Sequence, residues 1–549
     1  MNQLSRIAPF VPLALSAAVL GGLYWLWQQP LSHYDLPPFW LAALAGLTLL
    51  AVRLPWYVWL WWLVGLATLA WSQTPGNTLA AGIWELAYLA AFAAGTWWRG
   101  LAGLGAVLLG YNLFTTLSLG AFGLALYFSG SAHYVAGAQA LTLLPVLFRS
   151  ALERSRWQLT LGLGLVATVY LALLSGARAV YLPLLVVGVL LAWRLWQERT
   201  PLPRLVAGFV GVAAAVVLLD TALPFHPVQA ALLPKTAVAK QVSDTSSEGS
   251  FGSRLQMWGQ TIDIALQAPL GTGNGSFRDV MAAYQQYPSV NFANAHNHYL
   301  ETAATGGWPR LIVLLGVLGW VLWRGWRGPA WPWALGAAGL WATLAFDITG
   351  MYPAVMMLAF AALGAVYAQS RPAQISLSSL SSSAWASRAA AGVGLVAAVV
   401  LVLWWYWPCS GVCSASRYLG FRPTVLKEAT QLPPAQRLEL LEQAAHLNPN
   451  SLWVYRAQLQ YAQTPNEQLE VLRQLNQKFP LGSPLYYLQQ AKLERQLGHN
   501  AQAIAVLERG LSRFPADFRP AGVPLGDSVY QGYIRWGQEA PQLLQELQR

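Results

Sequence analysis

Two groups of residues in this 549-residue chain have the types and spacing to do chemistry. One is a set of six basic residues, Arg178, Lys235, Lys240, Arg254, Arg278 and Arg310, which depart from the charge pattern of the rest of the membrane-like region. The other is the string Ala295-His296-Asn297-His298-Tyr299-Leu300-Glu301. Guanidinium groups at a water–lipid boundary suit phosphate oxygens, which they hold through charge-assisted and often bidentate hydrogen bonds. A nearby histidine can take a proton from an attacking hydroxyl near neutral pH. Together they fit group transfer from a lipid-linked pyrophosphate, with the arginines stabilising charge that develops on the leaving group. The same residue types also serve plainer ends: arginines meet lipid headgroups, and interfacial histidines act as structural hydrogen-bonders.

A metal site is the competing use of His296, His298 and Glu301. Two histidines at i and i+2 cannot share one helical face, whereas metal pairs on helices usually stand at i and i+4. The first outer loop offers only Asp35 as an acid, without paired carboxylates. Chemistry without a metal or other cofactor is therefore expected. Gly271, Gly273 and Gly275 fit no P-loop or dinucleotide spacing, and no strand precedes them, so a sharp turn over a membrane surface is the expected reason for them.

The elements that must position these residues are set by composition. The chain is 56% hydrophobic and 10% charged, where soluble proteins run near about 25% charged. Residues 408–549 hold 25 of the 55 charged side chains, so residues 1–407 are far poorer in charge and need lipid as their solvent. No basic run of five or more residues occurs, which argues against nucleic acid as a partner. Apolar stretches predict helices near 7–27, 37–52, 56–71, 79–98, 101–119, 135–149, 158–175, 178–196, 204–223, 308–323, 332–348, 352–369 and 389–407, which makes thirteen spans.

With the N-terminus in the cytoplasm, 13 of the 19 basic residues before position 408 fall on the cytoplasmic side, and the loops at 28–36, 72–78 and 120–134 carry no Lys or Arg. The first stretch reads as an uncleaved helix rather than a signal peptide. An odd number of spans leaves the tail outside. The expected organisation is all-α: helices over 1–223, a long external loop at 224–307 carrying the chemistry, helices over 308–370, a Ser-rich cytoplasmic linker at 371–388, a last span at 389–407 and an external domain at 408–549. A transporter or flippase would instead need charges facing a cavity through the membrane depth, and Glu85 and Asp220 are the few candidates.

The segment Gly252-Ser253-Arg254-Leu255-Gln256-Met257-Trp258, followed by Ala268-Pro269-Leu270-Gly271-Thr272-Gly273-Asn274-Gly275-Ser276-Phe277, resembles the signature loop of the O-antigen ligase and polymerase superfamily. His296-Asn297 before a membrane helix, and Arg178 after Ser175-Gly176-Ala177, are similar to further elements of that family. The resemblance implies a membrane glycosyltransferase of the GT-C type in a bacterial inner membrane, with an undecaprenyl-pyrophosphate-linked glycan as donor. It implies that Arg178 and Arg254 bind the pyrophosphate; Arg278, Asn297 and His298 are expected as further substrate contacts. His296 would activate the acceptor hydroxyl for inversion at the anomeric carbon. The acceptor would be lipid A core (ligase), with another glycan (polymerase) or a protein hydroxyl (O-oligosaccharyltransferase) as alternatives. Many members carry an acid nine residues after the histidine, where this chain has Thr305, and Glu301 is a weak substitute.

In the tail, Cys409 and Cys413 are the only cysteines, and they would lie in an oxidising compartment as a local disulfide or as two thiols. From about 430 the pattern turns to amphipathic helices. Three units end similarly, at His446-Leu447-Asn448-Pro449, Lys478-Phe479-Pro480 and Arg513-Phe514-Pro515. The proline intervals resemble those of a tetratricopeptide array, a soluble α-helical repeat domain that would bind a protein partner or support the enzyme as a docking surface.

Overall fold

A computed structural model describes residues 18–19, 39–51, 54–97, 105–106, 108, 132–153, 158–174, 178–222, 254–286, 294–346, 348–370, 419–518 and 528–549. Among them every regular element is helical and no strand occurs. The first part comprises α1 (Phe39–Ala51), α2 (Trp56–Ala67, continued by a 3-10 turn Thr68–Trp71), α3 (Pro75–Trp97), α4 (Ala132–Leu152), α5 (Gln158–Leu174), α6 (Arg178–Gln197) and α7 (Leu202–Ala222). Then come α8 (residues 254–267), α9 (Phe277–Tyr284), α10 (His298–Trp326), α11 (Trp331–Thr343) and α12 (Pro353–Gln369). Ten of the thirteen expected spans fall on described residues, and each coincides with a helix. The spans expected at 7–27, 101–119 and 389–407, the Ser-rich linker, and Cys409 and Cys413 lie wholly or mostly outside the described residues.

The protein is an all-α polytopic membrane protein. By length and composition α3, Val180–Gln197 of α6, α7 and α10 can each cross a membrane, and five shorter apolar helices accompany them. At the centre α3 is buried along almost its whole length and packs on α12. Small residues permit the close approach: a Cβ on Gly95 would lie 2.0 Å from the Ala361 carbonyl oxygen, and one on Gly364 2.0 Å from that of Phe92. Such contacts replace the hydrophobic drive that lipid does not provide. At the periphery α7 exposes Val206, Val210, Val217 and Leu218, side chains suited to acyl chains rather than water.

The second part comprises α13 (Arg422–Ala429), α14 (Pro434–Leu447), α15 (Leu452–Tyr461), α16 (Pro465–Lys478), α17 (Pro484–Gln496), α18 (Asn500–Arg513) and α19 (Ser528–Gln548). Consecutive helices pack on one another from α13 to α19. The three proline-marked units end alike: α14, α16 and α18 each have 14 residues and close on Asn448, Phe479 and Phe514 with φ of −129°, −125° and −126°.

The two parts meet through α9. Ala282 shares an apolar core with Val425, Leu452 and Tyr455. Arg422 forms a salt bridge with Asp279 at 3.5 Å, and Asn77 at the start of α3 donates to the other oxygen of that carboxylate at 2.5 Å. Asn450 donates to Gln73 at 2.9 Å.

Candidate active site

The glycine-rich stretch after α8 is a turn locked onto α10. Gly271, Gly273 and Gly275 all have positive φ, a region open to glycine without steric cost. A Cβ on Gly273 would sit 2.1 Å from the Ser72 hydroxyl. The backbone N–H groups of Thr272 and Gly273 donate to the carbonyls of Ala304 and Thr305 at 3.1 and 2.9 Å. On the other side α10 is kinked at Gly307 (φ 80°), just before Pro309, and the N–H of Trp308 donates to Pro269 at 3.0 Å. The turn is thus shaped by close backbone contact with a helix.

The histidine string breaks into a turn and a helix start. Asn297 caps α10, its side-chain oxygen accepting from the N–H groups of Tyr299 and Leu300 at 3.0 Å each. Glu301 lies in the first turn of α10, where a negative charge is favoured by the helix dipole. His298 is the first residue of the helix, and its N–H donates to the Leu344 carbonyl at 2.8 Å. His296 precedes the cap with φ 48°, and its N–H donates to the side-chain oxygen of Asn294 at 3.1 Å.

Arg254 is the first described residue of α8 and donates to the Phe346 carbonyl at 3.1 Å. One turn further along α8, the Trp258 indole donates to the Ala295 carbonyl at 3.0 Å, and its ring lies 6.4 Å from that of Phe346. Gly350 lies against the His298 ring, close enough that a Cβ there would be 3.1 Å from it. The connection between α11 and α12 therefore touches both the Arg254 helix and the histidine turn. Arg254, His296, Asn297 and His298 come together around it.

Arg178 opens α6 beside the end of α5, where the Tyr181 hydroxyl donates to the Leu173 carbonyl at 3.0 Å. Arg278 is placed elsewhere: it is exposed on α9, beside the Asp279–Arg422 contact with the second part of the chain. Burial pushes the Asp279 carboxyl above the usual carboxylate range, and the pull of Arg422 and the Asn77 hydrogen bond offsets this only in part.

Arg310 corrects the sequence reading, which counted it with the outer-face cations. It lies inside α10 at 4% exposure and is ion-paired with Glu85 of α3, itself 5% exposed. Asn274 of the glycine turn accepts a hydrogen bond from Arg310 and donates one to Glu85 at 2.7 Å. The Trp61 ring stacks under the guanidinium at 4.9 Å. A cavity of about 50 Å³ adjoins the pair, lined among others by Tyr88, His298, Thr302 and Thr305. It has room for a few waters. Glu85 alone in an apolar run was the sequence signal for a buried partner, but nothing in the sequence pointed to Arg310. Trp258 and Asn274 lie within the signature-like segments, where spacing alone gives them no role.

Residues 163–323 match the family model described as O-antigen ligase. That stretch of the chain is similar to the O-antigen ligase family. The matched span contains Arg178, Arg254, Arg278, His296, Asn297, His298 and Arg310, while Glu85 and the second part of the chain lie outside it. No curated protein matches the chain. The O-antigen ligase family implies a membrane glycosyltransferase with a lipid-linked glycan donor and a glycan acceptor.

Proposed function

We propose that this protein transfers a glycan from an undecaprenyl-pyrophosphate carrier to an acceptor outside a bacterial inner membrane, in the manner of an O-antigen ligase. The N-terminus is then cytoplasmic, and the 224–307 loop and the 408–549 tail face outward. The reading is supported chiefly by one observation: the Arg254 helix and the His296 turn, both within the O-antigen ligase match, are joined by the Trp258–Ala295 hydrogen bond.

His296 takes the proton of the acceptor hydroxyl, whose oxygen attacks the anomeric carbon from the face opposite the pyrophosphate. The glycosidic C–O bond to phosphate breaks with inversion, and the electron pair leaves on the pyrophosphate. Arg178 and Arg254 bind that group and stabilise its added negative charge. His298 and Asn297 are further substrate contacts. No metal takes part in this scheme. The α13–α19 array acts as a tetratricopeptide-like surface beside the acceptor, and the two tail cysteines are proposed to pair.

The test supplies purified protein with a lipid-pyrophosphate glycan and, in separate arms, lipid A core, free glycan or a protein acceptor. Transfer to lipid A core is expected. His296→Ala and Arg254→Ala are each expected to lower it by about 10²–10⁴-fold. Variants that transfer as fast as wild type would overturn the site assignment, and a divalent ion that restores activity lost on chelation would overturn the metal-free scheme.

A further inference from the structure

Ala295 is fully buried, and side chains satisfy both of its backbone polar groups. Its N–H donates to Glu301 Oε2 at 3.0 Å, and its carbonyl accepts from Trp258 Nε1 at 3.0 Å. The next residue is His296, held in the left-handed region that side chains other than glycine rarely adopt. Such a conformation persists only where its surroundings over-determine it, and such sites cluster where geometry serves a reaction.

We propose that Trp258 and Glu301 are positioning residues for His296, holding the preceding residue, Ala295, by its carbonyl and its N–H so that the imidazole meets the acceptor in one orientation. Each is anchored to a different functional helix. Trp258 stands four residues after Arg254 on α8, so one indole fixes the histidine turn to the helix that carries the pyrophosphate-binding arginine. Glu301 stands one turn inside α10, so its carboxylate fixes the same turn to the helix that His298 begins. Asn294 adds a third hold, on His296 itself. An apolar pair would fill the same volume without orienting the peptide. The indole N–H and the carboxylate supply direction, and a misplacement of about 1 Å can cost about 10²-fold in rate.

The inference rests on His296 being the base, and the test separates the two ideas. Full-length Trp258→Phe, Glu301→Leu and Glu301→Gln are compared with wild type for kcat and donor KM, and by amide hydrogen exchange across 294–300. Trp258→Phe keeps an aromatic ring at this half-buried position and removes the N–H donor. Glu301→Gln keeps an acceptor that Glu301→Leu lacks.

Trp258→Phe and Glu301→Leu are each expected to lower kcat by about 10–100-fold. Donor KM should stay within about twofold, and exchange at 295–297 should quicken. Glu301→Gln is expected to retain kcat within about threefold. Should Glu301→Leu fail to fold, Trp258→Phe decides. An unchanged kcat in Trp258→Phe, or a raised KM with kcat intact, overturns the positioning role and leaves the proposed function standing. Faster exchange in the variants of a wild-type protein that transfers no glycan supports the grip and overturns the function instead.

Discussion

Arg310 and Glu85, 225 residues apart in the chain, form an ion pair inside the helical bundle. Charges at that depth are tolerated when each meets the other and part of their remaining hydrogen-bonding capacity is met. Asn274 serves both members of the pair, and so it ties the glycine turn to α3 and α10 at once. The pair lies within the same cavity lining as His298, which makes it part of the frame of the site.

Removing one member should therefore hurt more than removing both. Arg310→Leu strands the Glu85 carboxylate and is expected to cost about 3–5 kcal/mol, read as a lowered thermal midpoint in detergent. The Arg310→Leu/Glu85→Leu double variant should recover a large part of that loss. Strict additivity of the two single losses would show that they do not act as a pair.

The glycine turn offers a sharper local test. Gly273→Ala forces a side chain into φ 114° and against Ser72, at about 1–3 kcal/mol for the backbone conformation alone. Gly316→Ala, in α10 with open space around it, should cost nothing measurable. Thermal unfolding of the two variants side by side checks the contrast.

At Arg254 the shape of the cation matters as well as its charge. Arg254→Lys keeps the charge and loses the planar fork that can bind the Phe346 carbonyl and a phosphate together. It is expected to retain no more than about a tenth of wild-type transfer, with the loss carried by donor KM and kcat together. Steady-state kinetics on the lipid-linked donor provide the measurement.

The contact between the two parts of the chain should respond to pH. Burial raises the Asp279 pKa, so the docked form holds the proton more tightly than a form with that carboxyl in water. Docking should then strengthen as pH falls through the raised pKa toward the ordinary carboxylate value, and stay weaker and flat above the raised pKa. Asp279→Asn should abolish this dependence and dock at least as well at neutral pH. Arg422→Ala, which leaves the carboxylate without its salt-bridge partner, should cost about 1–2 kcal/mol, since Arg422 remains partly solvated. The rate at which protease releases the tail, followed from about pH 4 to 7, reads both effects.

The membrane helices were legible because apolar length is a local property, and α6 and α7 match their predicted bounds within two residues. The start of α10 was not. It lies ten residues before the expected position, because Thr302, Thr305, Gly306 and Gly307 look like a polar approach and are in fact buried helix and kink. Arg310 was misplaced for the same reason, as it sits where the apolar run begins. Its partner lies far off in sequence, and only tertiary structure joins them. The motif carried Arg254 and Trp258 into view together, but the role of Trp258 depends on the backbone of a residue 37 positions away. No hydropathy or spacing rule reports such a bond.

One consequence concerns how this chain could be rebuilt. Helix α9 belongs by sequence to the loop of the transferase, yet Ala282 and Asp279 are completed by residues of the tail. The tail is therefore not an interchangeable module. A chimera that grafts a foreign tail at residue 419 would leave Asp279 without its salt-bridge partner and Ala282 uncovered, whereas one that also exchanges 277–284 would carry its own fitted seam.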